Sequence, residues 1–418
     1  MTPLAAGLAG HIVTTGHSAT LALNQKSQVM AAQNRHIYRY GFGQSPFPVP
    51  HHVVDALRQA AASKAYAPVQ GLPCLRDSAA YFHSALGSTP WAGERVIVGA
   101  GSKILLFALL AALQDADVAV VTPGWVSYAP QARLAGHAVH YLPTQAAEQW
   151  RLQPAVLRAF CESRGDAASP IVLILNYPGN PSGTSYTRED LSALVPILRQ
   201  YNVYVVSDEI YGLLHHDGEH LSLADLYPEG TIVSTGLSKW CGAGGWRLGL
   251  AHIPEALGQD YFDAVIGVCS ETYSCASTPI QYAATAAYAD AAQTYHYLVQ
   301  QRAVLSHLGN ACATILGDTG IQCAAPEGGF YLFPDFDAHR DRLARRGIDD
   351  SSTLCQRLLE ESGVALLPGT EFGMPRHSLT ARLAYVDFDG SPILEDKQPD
   401  VSRVLAGIET IARWLKRQ

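Results

Sequence analysis

The chain has 418 residues, of which 48% are hydrophobic and only 16% charged, with a formal net charge of -8 and a pI near 6.0, so it is long enough for two or three structural units with large buried cores. The acidic balance argues against nucleic acid or an anionic membrane as a partner. No apolar run reaches about 18 residues, residues 1–10 lack a basic start, and the eight cysteines form no CxxC pair, so the reading is a cytoplasmic protein with reduced thiols and no membrane span or secretory signal.

In chain order, residues 1–35 are small, polar and aperiodic, and read as an N-terminal arm of the kind that can cross to a second subunit. Tyr40-Gly41-Phe42-Gly43-Gln44-Ser45-Pro46 follows, where glycines allow close backbone approach and prolines fix an extended path, and then a helix over 52–63. Arg95-Val96-Ile97-Val98 reads as a strand. Gly99-Ala100-Gly101-Ser102-Lys103 leads from it into Ile104 and a run that is apolar all round to Leu113, a buried helix. A glycine-rich entry to such a helix leaves free N–H groups and the positive dipole end at one spot, which suits phosphate. It is not a Walker loop, because isoleucine follows the lysine, and the chain holds no GxGxxG.

Residues 117–122 make the next strand, with Trp125 just beyond it as an aromatic face for a planar ring. Ile171-Val172-Leu173-Ile174-Leu175 is continuous apolar, as in a strand covered on both faces, and runs into Asn176-Tyr177-Pro178-Gly179-Asn180-Pro181. Another buried strand ends at Asp208, with Tyr211 three residues on. His215-His216-Asp217-Gly218-Glu219-His220 has metal-ligand residue types, but Asp-Gly in a polar stretch reads first as a turn, and no metal is assigned.

The densest chemistry lies in Ser234-Thr235-Gly236-Leu237-Ser238-Lys239-Trp240-Cys241-Gly242-Ala243-Gly244-Gly245-Trp246-Arg247-Leu248-Gly249. Only six lysines stand against 23 arginines, which narrows the choice of catalytic amine. Small and aromatic neighbours shed water from Lys239 and favour the nucleophilic free amine toward a carbonyl. Arg247 offers the planar fork that suits a phosphate dianion. An amine beside a phosphate clamp points to an aldehyde that carries a phosphate.

This stretch resembles the pyridoxal-phosphate enzymes of fold type I, the class I/II aminotransferases in particular, whose lysine signature matches Ser238-Lys239 through Gly245-Trp246-Arg247-Leu248-Gly249. Matches run in the family's order from Gly43 to Arg382. The resemblance implies an α/β fold with a large, mostly parallel sheet between helices and a small α/β domain. The expected division is 1–50 as arm and part of the small domain, 51–295 as the large domain and 296–418 as the small one.

It further implies that Lys239 holds pyridoxal 5′-phosphate as a Schiff base and then moves the Cα proton. Asp208 pairs with the ring nitrogen, Asn180 and Tyr211 share the phenolate, and Trp125 stacks on the ring. Gly101, Ser102, Ser238 and Arg247 hold the phosphate. Tyr66, in Tyr66-Ala67-Pro68-Val69-Gln70-Gly71, reaches the phosphate of the neighbouring subunit, so a homodimer with a shared site is implied. Arg382 and Gly43 take the substrate α-carboxylate, and Lys103 the distal carboxylate of a dicarboxylic substrate. One departure is Gly236, where many relatives carry a phosphate-binding Ser or Thr; Ser234, Thr235 and Ser238 are the substitutes, with Ser238 preferred. The implied reaction moves an amino group from an L-amino acid to a 2-oxo acid. Lyase or replacement chemistry, for instance on S-adenosylmethionine, shares the same residues, and a regulator built on this fold would need a DNA-binding domain for which residues 1–35 leave no room.

Overall fold

The computed structural model describes residue 23 and residues 27–30, 32–87, 89–164 and 169–416; the expected N-terminal arm therefore lies largely outside the described residues. Strand β1 is Tyr38–Arg39, and the central sheet follows as β2 Val96–Gly99, β3 Asp117–Thr122, β4 Ala138–Pro143, β5 Ile171–Asn176, β6 Tyr204–Asp208, β7 Thr231–Gly236 and β8 Gly249–His252. Its order is β2-β8-β7-β6-β5-β3-β4, parallel throughout except that β8 runs against both neighbours.

The strands read as apolar runs because helices cover both faces. Along β3 and β5 the side chains alternate. Val118, Val120, Val172 and Ile174 pack with Leu105, Leu109 and Phe262 on one face, whereas Ala119, Leu173 and Leu175 pack with Leu157, Leu191 and Leu194 on the other. Each such Val, Leu or Ile taken fully from water contributes about 1.5–3 kcal/mol. The all-apolar helix expected after Lys103 is Ser102–Ala111, and the helix Arg188–Gln200 begins with a capping box between Thr187 and Asp190.

The C-terminal part adds β9 Tyr331–Leu332, β10 Val364–Ala365, β11 Leu367–Pro368 and β12 Ala381–Ala384. These form an antiparallel sheet β11-β12-β9, while β1 pairs in parallel with β10 and ties residues 38–39 to this part. The 27-residue helix Ala291–Gly317 runs between the two regions, and the boundary expected at 295/296 falls inside it. The closing amphipathic helix is Ser402–Lys416, with Val404, Ile408, Ile411 and Leu415 buried. Two elements are shorter than their patterns. The apolar stretch 330–333 holds only the strand Tyr331–Leu332, because Gly329 at φ 63° turns the chain to donate its N–H to Leu214 O, and the helix read over 52–63 is His51–Ala60. Among the described residues, no helix is long and apolar enough to cross a membrane.

The parallel strands all end on one edge of the sheet. That edge is where open α/β sheets bind ligands.

Candidate active site

A cavity of about 650 Å³ opens at this edge, within the ~300–1,000 Å³ range of small-molecule sites. Its first wall is an anion cradle. Ser102 opens the helix Ser102–Ala111, whose first N–H groups have no intrahelical partner. The preceding Gly101 sits at φ 96°, and a Cβ there would lie 2.2 Å from Arg247 Nη2, so only glycine lets the guanidinium lie against the helix start. Arg247 is itself left-handed at φ 57° and donates Nη1 to Gly244 O at 2.9 Å. Gly236 explains the missing hydroxyl: its Cβ would meet Leu248 O at 2.6 Å, because β7 and β8 close together there. Of the three substitutes, Ser238 alone lines the cavity.

Asp208, the last residue of β6, forms the floor and is 3% exposed. Its Oδ2 accepts from Tyr128 Oη at 2.7 Å, and its Oδ1 is buried with no hydrogen-bond partner. Burial pushes the carboxyl up to about 6, against the Tyr128 hydroxyl, the Ile210 N–H and the Lys239 charge, which pull it down. A buried, unpartnered carboxylate oxygen is costly unless a donor reaches it, and a protonated pyridine nitrogen is such a donor. The residues present therefore fit a pyridoxal ring. A carboxyl raised on folding adds stability below its unfolded value that is lost as pH rises through its folded value. Between roughly pH 4 and 6 the coenzyme-free protein should lose up to about 3 kcal/mol through Asp208. Asp208→Asn should remove that loss, so thermal midpoints of the coenzyme-free proteins should separate in the variant's favour as pH rises from about 4 to about 6 and stay apart above it; curves that stay parallel through that interval would contradict the burial argument.

Lys239 is half-buried and donates Nζ to Gly43 O at 2.7 Å, with the Tyr211 and Phe330 ring centres 5.5 and 5.6 Å away. Across the cavity Arg382, on β12, is 2% exposed. It donates Nη1 to Asn180 Oδ1 at 3.1 Å and Nη2 to Gly41 O at 2.7 Å, while its Nε has no partner. Its amide oxygen being engaged, Asn180 keeps its amide nitrogen as a donor. Among the described residues Arg382 has no acidic partner, and burial holds its guanidinium below the usual arginine range. Lys103 Nζ stands 5.0 Å from the Trp125 ring centre, also without an acidic partner; burial first, and then the Arg247 charge, lower its pKa from the ordinary lysine value.

The family described as aminotransferase class I and II matches residues 36–386. The chain belongs to the class I and II aminotransferases. This aminotransferase is 33% identical to the aspartate aminotransferase of Geobacillus stearothermophilus over 386 residues, 90% of this chain and 94% of that one. It is 31% identical to the aspartate/prephenate aminotransferase of Thermus thermophilus, covering 91% of this chain and 94% of the relative. A solved aspartate aminotransferase from Thermus thermophilus with maleate superposes with a TM-score of 0.85 at 29% identity, over 98% of this chain and 99% of that chain.

All the residues expected at the site of this aminotransferase line the one cavity except Gly101, which backs Arg247, and Tyr66. Tyr66 lies outside the cavity of its own chain and is 91% exposed. The histidine-rich stretch packs against neighbouring segments. His216 contacts the carbonyls of Pro326 and Gly329 at 3.0 and 3.1 Å, and His220 meets Glu209 at 2.8 Å. Cys241 and Cys269 are buried in the core, and neither they nor Cys275 line the cavity. Sequence reasoning missed Tyr128 and Tyr331. The signal for Tyr128 was its position three residues after Trp125 at a helix start, which places both aromatics on one side, 5.3 Å apart and edge-on. Nothing local marked Tyr331.

Proposed function

We propose that this aminotransferase holds pyridoxal 5′-phosphate on Lys239 and transfers the amino group of a dicarboxylic L-amino acid to a 2-oxo acid. The observation that carries the substrate reading is the pair of cations without acidic partners in one cavity, buried Arg382 for the α-carboxylate and Lys103 for the distal one. The maleate named with the Thermus structure is a dicarboxylate too.

When bound, the coenzyme supplies an electron-withdrawing ring that makes the Cα–H of an attached amino acid acidic. Arg247, Ser102, Ser238 and the Gly101 turn would hold its phosphate, Asp208 its ring nitrogen, and Asn180 with Tyr211 its phenolic oxygen; Trp125 would cover the ring. Lys239 moves the proton from Cα as general base. Arg382 fixes the carboxylate by parallel hydrogen bonds, so that the Cα–H bond is held toward Lys239.

The exposure of Tyr66 supports a homodimer in which it completes the neighbour's phosphate site. Pairing of β1 with β10 supports assigning residues 1–50 to the small domain together with 296–418, and 51–295 to the large one. Eight free cysteines support a cytoplasmic location.

Lys103→Ala tests the substrate reading. The KM for aspartate or glutamate should rise about tenfold, as for one charge-assisted hydrogen bond, with alanine used at unchanged efficiency. A lysine binds carboxylate only while protonated. The wild-type KM for the dicarboxylic donor should therefore rise with alkaline pH, and that rise should vanish in the variant. Equal losses on both classes of donor would refute the assignment of Lys103.

A further inference from the structure

Two phenols meet in the cavity wall. Tyr211 Oη and Tyr331 Oη are 2.9 Å apart, and the two residues are 2% and 1% exposed. Antiparallel pairing of β9 with β12, Tyr331 opposite Ala384 and Leu332 opposite Leu383, delivers Tyr331 beside Arg382, whose guanidinium carbon is 4.8 Å from the ring centre. The backbone makes room for the hydroxyl, since a Cβ at Gly43 would sit 1.9 Å from Tyr331 Oη. Gly43 thus does two things: its carbonyl receives the Lys239 amine, and its missing side chain admits the Tyr331 phenol.

A phenol has one proton to donate and lone pairs to accept with. Burial and the neighbouring Tyr331 push the Tyr211 phenol well above its ordinary range, so it stays protonated and able to donate. Tyr211 can aim that proton at the coenzyme only if its bond to Tyr331 runs the other way, with Tyr331 as donor. Tyr331 Oη has no other hydrogen-bond partner among the described residues, so its proton is available for that bond.

We propose that Tyr331 is a positioning residue: its hydroxyl donates to Tyr211 and so turns the Tyr211 proton toward the phenolic oxygen of the coenzyme, while its ring supports the Arg382 guanidinium. This rests on the coenzyme assignment above.

Tyr331→Phe in the full-length holoenzyme keeps the ring and removes the hydroxyl. Donation onto the phenolic oxygen draws charge from it and eases loss of the proton it shares with the linked nitrogen. In the variant, the pH midpoint of the coenzyme's absorbance change should move alkaline by about half a unit or more, and kcat should fall about tenfold. Coenzyme affinity and the KM for aspartate should stay within about threefold, because the ring contact to Arg382 remains. Tyr211→Phe should shift the midpoint the same way, and Tyr331→Phe added to it should shift it no further, as for two members of one relay. Tyr331→Leu, which loses the ring as well, should raise KM. An unshifted midpoint in Tyr331→Phe, or a double variant whose shift equals the sum of the single ones, overturns the proposal. A wild-type protein that takes up no coenzyme removes the assignment beneath it and the proposal together; uptake with an unshifted midpoint removes the proposal alone.

Discussion

Lys239→Ala is expected to lower the aspartate-dependent formation of 2-oxo acid by at least about 10⁴-fold, because one side chain supplies both the covalent anchor and the general base, and a positioned base by itself contributes up to about that factor. The fold should not suffer. Lys239 is half-buried and makes one hydrogen bond, to Gly43 O, so the thermal midpoint of the coenzyme-free variant should fall only slightly, through that bond and the charge lost beside Asp208. Arg247, Ser102 and Ser238, proposed to hold the phosphate, are untouched, so coenzyme should still bind and be removable by dialysis. Initial rates with saturating aspartate and a 2-oxo acid check this. Activity within tenfold of wild type would show that another amine does the chemistry, and Lys103, in the same cavity, would be the one to examine.

The second large effect is at Arg382. Removing one side of a buried, hydrogen-bonded charge pair costs about 2–5 kcal/mol, so Arg382→Ala should lower kcat/KM by roughly 30- to 5,000-fold. The loss should be the same for aspartate, glutamate and alanine, since all share the α-carboxylate; this separates Arg382 from Lys103, whose loss is confined to dicarboxylic donors. A buried guanidinium without an acidic partner also burdens the substrate-free protein. Arg382→Ala removes that burden but leaves Asn180 Oδ1 and Gly41 O without their donor, so its thermal midpoint should stay within a few degrees of the wild type. A variant that unfolds several degrees lower, with unchanged kcat/KM, would make Arg382 structural.

Much of the site was legible because its residues sit where patterns end. Asp208 closes an apolar run, Trp125 follows another, Lys239 lies just beyond β7, and Ser102 opens an unbroken apolar helix. Those breaks in periodicity mark the strand ends that share one edge of the sheet, so function and fold were read from the same signal. What escaped depends on contacts between distant segments. Tyr331 meets Tyr211 across 120 residues, through the register of β9 on β12, which no local pattern fixes. Gly236 looked like a missing phosphate ligand, and its cause is the closeness of Leu248 O on the adjoining chain segment. Phe330 to Phe333 is apolar throughout, yet only Tyr331–Leu332 is strand, because the turn at Gly329 depends on a carbonyl of Leu214. The role proposed for Tyr66 cannot be read on its own chain, where it is exposed and outside the cavity.

The central claim is that Lys239 carries the coenzyme in this aminotransferase. The most direct measurement is to incubate the purified protein with pyridoxal 5′-phosphate, fix the adduct with borohydride and locate it by peptide mass mapping. The expected result is one pyridoxyl-phosphate group per chain, on the peptide containing Lys239, absent from Lys239→Ala and prevented when aspartate is added before the reductant. An adduct on Lys103 or another lysine with Lys239 unmodified, or no adduct at all, would contradict it.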